Sequence, residues 1–156
     1  VIPKREPKLF EATYPKYMYE SETEGNWLYN EYLKTNGLLA QDKDFDLFFG
    51  PRVFKNEKRT LSLFMRKFRL KIGDQTIPSE FFDTEEYSDA QYFPIVLALK
   101  KKLRVVSVEV PFTYPKLQKE NEEIGERAVF IEKRKNQRLS LLLELIHFLN
   151  LIKTKH

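Results

Sequence analysis

Apolar residues along this chain change their spacing several times, and each change marks an expected element. Pro3, Pro7 and Pro15 interrupt the first fifteen residues. Proline fixes its own φ and biases its predecessor away from helix, so this stretch is expected to run as an extended or looped connector. From Ser21 the period becomes helical: Trp27, Leu28 and Tyr32 or Leu33 recur at helical intervals, Ser21 and Glu24 fit a capping box, and Asn36-Gly37 supplies a stop. That spacing predicts a helix over about 22–35. Phe45 to Phe49 is a short, almost wholly apolar run closed by Gly50-Pro51, the pattern of a buried strand.

A second helix is expected over 52–67, carrying Val53, Leu61, Phe64 and Met65, with Asn56 to Lys58 as its weak point. A strand or hairpin follows between Phe68 and Ile77, with Gly73-Asp74 at its tip, and Pro78 to Glu80 reads as a loop. Tyr92 to Leu99 is helical by spacing, with Pro94 expected in the first turn, where a missing N–H is harmless. Leu103 to Phe112 is the clearest strand: Val106, Val108 and Val110 face one way, and Val105, Ser107 and Glu109 the other. After Pro115, Ile124, Ala128, Ile131, Leu139, Leu142, Leu143, Ile146 and Leu149 form the apolar stripe of a long C-terminal amphipathic helix, with Gly125 near its start. The expected fold class is therefore α/β, a small mixed sheet flanked by helices, with the last helix covering one side.

Composition narrows the class. The 156 residues, 42% of them apolar, suit a single domain or domain fragment with its own core. The absence of cysteine excludes disulfides and thiolate metal sites and points to the cytoplasm. No apolar run is long enough for a signal or a membrane span. A net charge of +4, built from 27 cations interspersed with 23 anions, is too diffuse for a nucleic-acid stripe, which makes nucleic acid an unlikely partner. Lys100 to Lys102 and the cluster Lys133, Arg134, Lys135 and Arg138 read first as solvated helix ends. With the amphipathic tail they leave peripheral membrane association open.

Many familiar sites are absent from the sequence. The five glycines stand singly, no Gly-x-Ser-x-Gly elbow occurs, and His147 and His156 cannot form a metal pair on one helix face. Asp42, Asp44 and Asp46 alternate as hard-cation ligands can, but Leu47 and Val53 stand where a calcium loop needs Gly and Glu. The cluster Asp83, Glu85, Glu86 and Asp89 lies among Phe81, Phe82, Tyr87, Tyr92 and Phe93. A carboxylate among aromatic faces can hold a sugar ring or act as a general base. The plainer alternative is a helix N-terminus, which favours acidic residues.

Taken in order, these motifs resemble the acceptor-side half of a family-2-like nucleotide-sugar glycosyltransferase of the GT-A fold, over most of residues 1–115. Ile2-Pro3-Lys4-Arg5 looks like the segment leaving the metal-binding strand, and Tyr14-Pro15 through Glu20-Ser21-Glu22 to Asn26 like the entry to an acceptor-side helix. Phe48-Phe49-Gly50-Pro51-Arg52 is similar to the turn near the donor sugar. Glu86 or Asp89, ahead of the strand from Arg104 to Val108, stands where the family carries its acceptor base. The resemblance implies a nucleotide-sugar donor, a hydroxyl acceptor and a divalent cation, Mg²⁺ or Mn²⁺. It implies Asp89 and Glu86 as catalytic residues, and Arg5, Glu22, Asn26, Gly50 and Arg52 as substrate-binding residues, with the metal ligands unassigned. It also implies that the nucleotide-binding half lies outside this sequence, so that 1–115 is the glycosyltransferase-like part, 116–156 a helical segment, and the chain by itself inactive. The alternative expectation is a non-enzymatic interaction domain that uses its aromatic surface and forms a partner complex, or a homodimer through the C-terminal helix.

Overall fold

The computed structural model describes residues 1–64, 70–72, 75–77, 88–124 and 146. The class is α/β, with helices predominating over short strands. Strand β1 (Ile2–Arg5) leads directly into helix α1 (Pro7–Thr13) and helix α2 (Lys16–Thr35). Helix α3 (Lys58–Phe64), strands β2 (Leu70–Ile72) and β3 (Gln75–Ile77), helix α4 (Ser88–Lys100), strand β4 (Ser107–Val110) and helix α5 (Lys116–Ile124) follow. Among the described residues the strands form two two-stranded sheets, one parallel and one antiparallel, and not the one mixed sheet expected. Two compact units result: residues from Val1 to Val53 join β4 and α5, while α3, the β2–β3 pair and α4 belong to the other.

The opening segment is not a connector. Its prolines sit where each element tolerates them. In β1 the N–H groups of Ile2 and Glu6 donate to Val106 and Val110 at 2.8 and 3.1 Å. Pro3 occupies the alternate position, whose N side faces away from β4 and needs no ladder bond. Pro7 stands in the first turn of α1, where its missing N–H costs nothing. Pro15, with φ −54°, is the residue from which α2 springs. Helix α2 therefore starts about six residues before the spacing suggested, and Ser21 and Glu24 lie inside it instead of forming a capping box. Its end is as expected: Asn36 caps it and Gly37 follows with φ +68°, a left-handed turn that favours glycine.

Packing in this first unit is aromatic. Phe10, Tyr14 and Met18 form a buried cluster flanked by Tyr17, Tyr19, Phe112 and Tyr114. Phe10 meets Tyr14 and Tyr19 edge-on at 4.6 and 5.0 Å between ring centroids, the geometry that ring quadrupoles prefer. Of the apolar stripe expected on α2, Leu33 is buried, but Trp27 and Leu28 are exposed, and the helix instead buries Met18, Gly25, Tyr29 and Asn30. Strand β4 is shorter than expected, and Val108 on its supposed apolar face is half exposed.

In the second unit, α3 covers Lys58 to Phe64 of the expected 52–67 helix; the residues before Lys58 are irregular, and 65–67, Met65 among them, lie outside the described residues. The hairpin is present, with Leu70 opposite Ile77 and Ile72 opposite Gln75; Gly73 and Asp74 lie outside the described residues. Helix α4 begins at Ser88, so Pro94 lies in its interior and not in its first turn. Proline there leaves the Ala90 carbonyl without its usual i+4 donor. Ile95, Val96, Leu97 and Ala98 are all buried in succession, the mark of a helix enclosed on every side. The expected long C-terminal helix falls beyond α5 outside the described residues, save for Ile146, which is helical.

Candidate functional site

Helical periodicity builds the site. Glu22, Asn26 and Asn30 stand at i, i+4 and i+8 on α2 and so share one face. Opposite them runs the segment 45–47, which has no strand partner among the described residues. The expected buried strand is thus buried without being a strand, because side-chain amides replace its ladder. The Phe45 N–H donates to Asn30 Oδ1 at 2.8 Å, and Asn30 Nδ2 donates back to the Phe45 carbonyl at 2.9 Å. The Leu47 N–H donates to Asn26 Oδ1 at 2.8 Å. These bonds satisfy backbone groups that burial would otherwise leave unpaired.

Arg5 and Asp46 meet at the end of this stripe. Arg5 is 3% exposed and Asp46 5%. Arg5 Nε and Nη2 donate to the two oxygens of Asp46, each at 2.7 Å, a bidentate pairing. The Arg5 backbone N–H and Asn26 Nδ2 fill the remaining acceptor positions of Asp46 at 3.2 and 2.9 Å. Nη1 of Arg5 donates to Glu22 at 2.6 Å. Above the guanidinium lies the face of Phe10, 3.8 Å from Cζ, with Tyr14 and Phe49 farther off. Burial alone disfavours the charge on Arg5, but the Asp46 and Glu22 carboxylates outweigh it and hold the guanidinium above its ordinary pKa. Burial likewise opposes the Asp46 carboxylate, and the bonds from Arg5 and Asn26 hold it below its ordinary range.

A cavity of about 270 Å³ opens beside this cluster, lined by α2 residues from Tyr19 to Asn30, by Lys4 to Phe10 and by Asp44 to Asp46. Three of the sequence-derived residues, Arg5, Glu22 and Asn26, are therefore joined in one network, and Arg5 and Asn26 line its cavity. Gly50 and Arg52 are not in that lining. The Arg52 guanidinium donates to the carbonyls of Leu47, Phe49 and Pro51, and so folds its own loop. Asp89 is the second residue of α4, in the other unit, and only its backbone is described; Glu86 lies outside the described residues, as do Asp83 and Glu85. No family model matches this chain, and neither does any curated protein or solved structure.

The cation that the resemblance implies finds no ligand set among the described residues, where no group of three or more His, Cys, Asp or Glu side chains comes together. The alternating aspartates part company: Asp44 pairs with Lys34 at 2.9 Å, Asp46 with Arg5, and Asp42 is exposed. No described helix is long and apolar enough to cross a membrane. Asn30, central to the cluster, is not singled out in the sequence, and Asp46 is read there only as one of three alternating carboxylates and not as the partner of Arg5. A signal existed in the polar stripe Glu22, Asn26 and Asn30, since asparagine is a poor helix former whose recurrence on one helix face calls for a reason.

Proposed function

We propose that this chain forms the acceptor-binding part of a glycosyltransferase that moves a sugar from a nucleotide-sugar donor to a hydroxyl. The observation that supports this reading is the convergence of Arg5 with Glu22 and Asn26, 17 and 21 residues further along the chain, on one network beside a cavity. In this reading the Arg5–Asp46–Glu22 cluster positions the wall of the cavity and does not itself react, because Asp46 has no acceptor position left. Asp89 is the proposed general base. It takes the proton of the acceptor hydroxyl while that oxygen bonds to the anomeric carbon, and the nucleoside diphosphate leaves with the electron pair of the broken bond.

The test is release of nucleoside diphosphate from a panel of nucleotide sugars by the complete gene product, with and without added glycosides. Acceptor-dependent release is expected, and Asp89→Asn should lower kcat by roughly 10²- to 10⁴-fold while donor affinity holds. Release from none of the donors overturns the reading, and a stable complex with a protein partner would then favour an interaction domain. An unchanged kcat in Asp89→Asn removes Asp89 as the base.

A further inference from the structure

We infer that the cavity beside α2 holds one neutral pyranose ring, stacked on Trp27. Trp27 is 62% exposed although it lines a cavity. A large ring left open at a concave site is a ready platform for a ligand with an apolar face. The C–H bonds on one side of a pyranose form such a face, and its rim of hydroxyls needs polar partners close by. They are present: Thr23 lies one turn before Trp27 on the same helix face and also lines the cavity. Asn26 spends its oxygen on Leu47 and one N–H on Asp46, which leaves it a second N–H to donate. The Lys4 ammonium, also in the lining, makes no ion pair among the described residues.

Size and charge narrow the ligand. At about 270 Å³ the cavity falls just short of the roughly 300–1,000 Å³ that drug-sized ligands occupy, so it suits a single ring and not a whole nucleotide sugar. Lys4 alone would suggest an anionic sugar. However, the charged residues of the lining balance, Lys4 and Arg5 against Asp44 and Asp46, so this wall carries no net charge. A phosphate or carboxylate on the ring would bring an unbalanced charge to that wall; a neutral ring does not. Taking this ring to be part of the acceptor, which makes the acceptor a saccharide, rests on the glycosyltransferase reading.

Trp27 is the one tryptophan of this sequence beside eight tyrosines, so fluorescence excited at the red edge, where only the indole absorbs, reports this cavity. Titration of the chain with neutral methyl hexopyranosides should give a saturable change in emission, with weaker responses to hexose phosphates and uronates. Saturation-transfer NMR, which does not need the indole, should show Trp27→Phe retaining the glycoside and Trp27→Ala weakening it roughly tenfold. Circular dichroism checks that these exposed-site variants fold. No saturable binding of any neutral glycoside overturns the inference, as does equal binding by Trp27→Ala or a preference for the anionic sugars. Donor turnover without glycoside binding at Trp27 sinks this inference alone; glycoside binding without turnover leaves the ring site standing and sinks the acceptor role with the glycosyltransferase reading.

Discussion

Replacing Asp46 with asparagine should be among the most damaging changes in the first unit. The substitution keeps shape but removes the charge, and it turns an acceptor into a donor against the Nε and Nη2 groups of Arg5. Breaking a buried ion pair from one side typically costs about 3–5 kcal/mol, because the remaining charge stays desolvated. Here the lower end applies, since Glu22 still holds Nη1 at 2.6 Å. A loss of about 3 kcal/mol multiplies the unfolded fraction on the order of a hundredfold and is a large part of the stability a domain this size possesses. Glu22→Gln should cost only about 1 kcal/mol, because its side chain is 16% exposed and water can solvate what remains. Exchanging Arg5 and Asp46 together for methionine and leucine should recover much of the loss. Urea denaturation followed by far-ultraviolet circular dichroism measures all three, with a constant slope confirming that stability alone has changed. If Asp46→Asn lies within 1 kcal/mol of the parent protein, the pair contributes nothing of consequence and the reasoning fails.

The same pair sets an acid limit. Asp46 is held below its ordinary pKa in the folded chain, so its contribution is complete above the unfolded value of about 3.9 and disappears as pH falls through the lower folded value. Urea midpoints collected from pH 6 to pH 2 should drop over that window, and Asp46→Asn should flatten the drop; an equally steep fall in the variant would assign it to other carboxylates. Asn30→Ala removes three hydrogen bonds and strands the buried Phe45 N–H, a loss of about 2–3 kcal/mol by the same denaturation measurement. A cost below about 0.5 kcal/mol would mean that segment 45–47 is held by its apolar side chains and not by the amide.

The α/β class, the end of α2, the β2–β3 hairpin and the valine-rich β4 were legible because each has a local signature: a stop at Asn36-Gly37, two short apolar runs, a β-branched alternation. The errors share a cause. Prolines announce where a backbone N–H is missing but not whether a neighbour needs it, so β1 and α1 looked like a connector. Phe45 to Phe49 was legible as buried and not as partnerless, because what satisfies its backbone comes from side chains 15 to 21 residues away. Trp27 looked like core on spacing alone, since periodicity finds a helix face without saying which face the fold will cover. Arg5, Glu22 and Asn26 came from the order of motifs, and nothing in their local sequence ties them to Asp46, which completes the cluster.

Segment 45–49 also carries a hazard that its surroundings contain. Phe-Asp-Leu-Phe-Phe is short and aromatic, the kind of stretch that seeds intermolecular β-stacking when its hydrogen-bonding edge lies open. The two asparagine amides of α2 occupy positions along that edge, as a neighbouring chain would, and Asp46 places a charge in the middle of the run. A lesion that loosens α2 therefore does more than lower stability: it releases an adhesive strand. Variants such as Asn30→Ala should show their phenotype first as aggregation during expression, at temperatures where the purified protein still melts cooperatively.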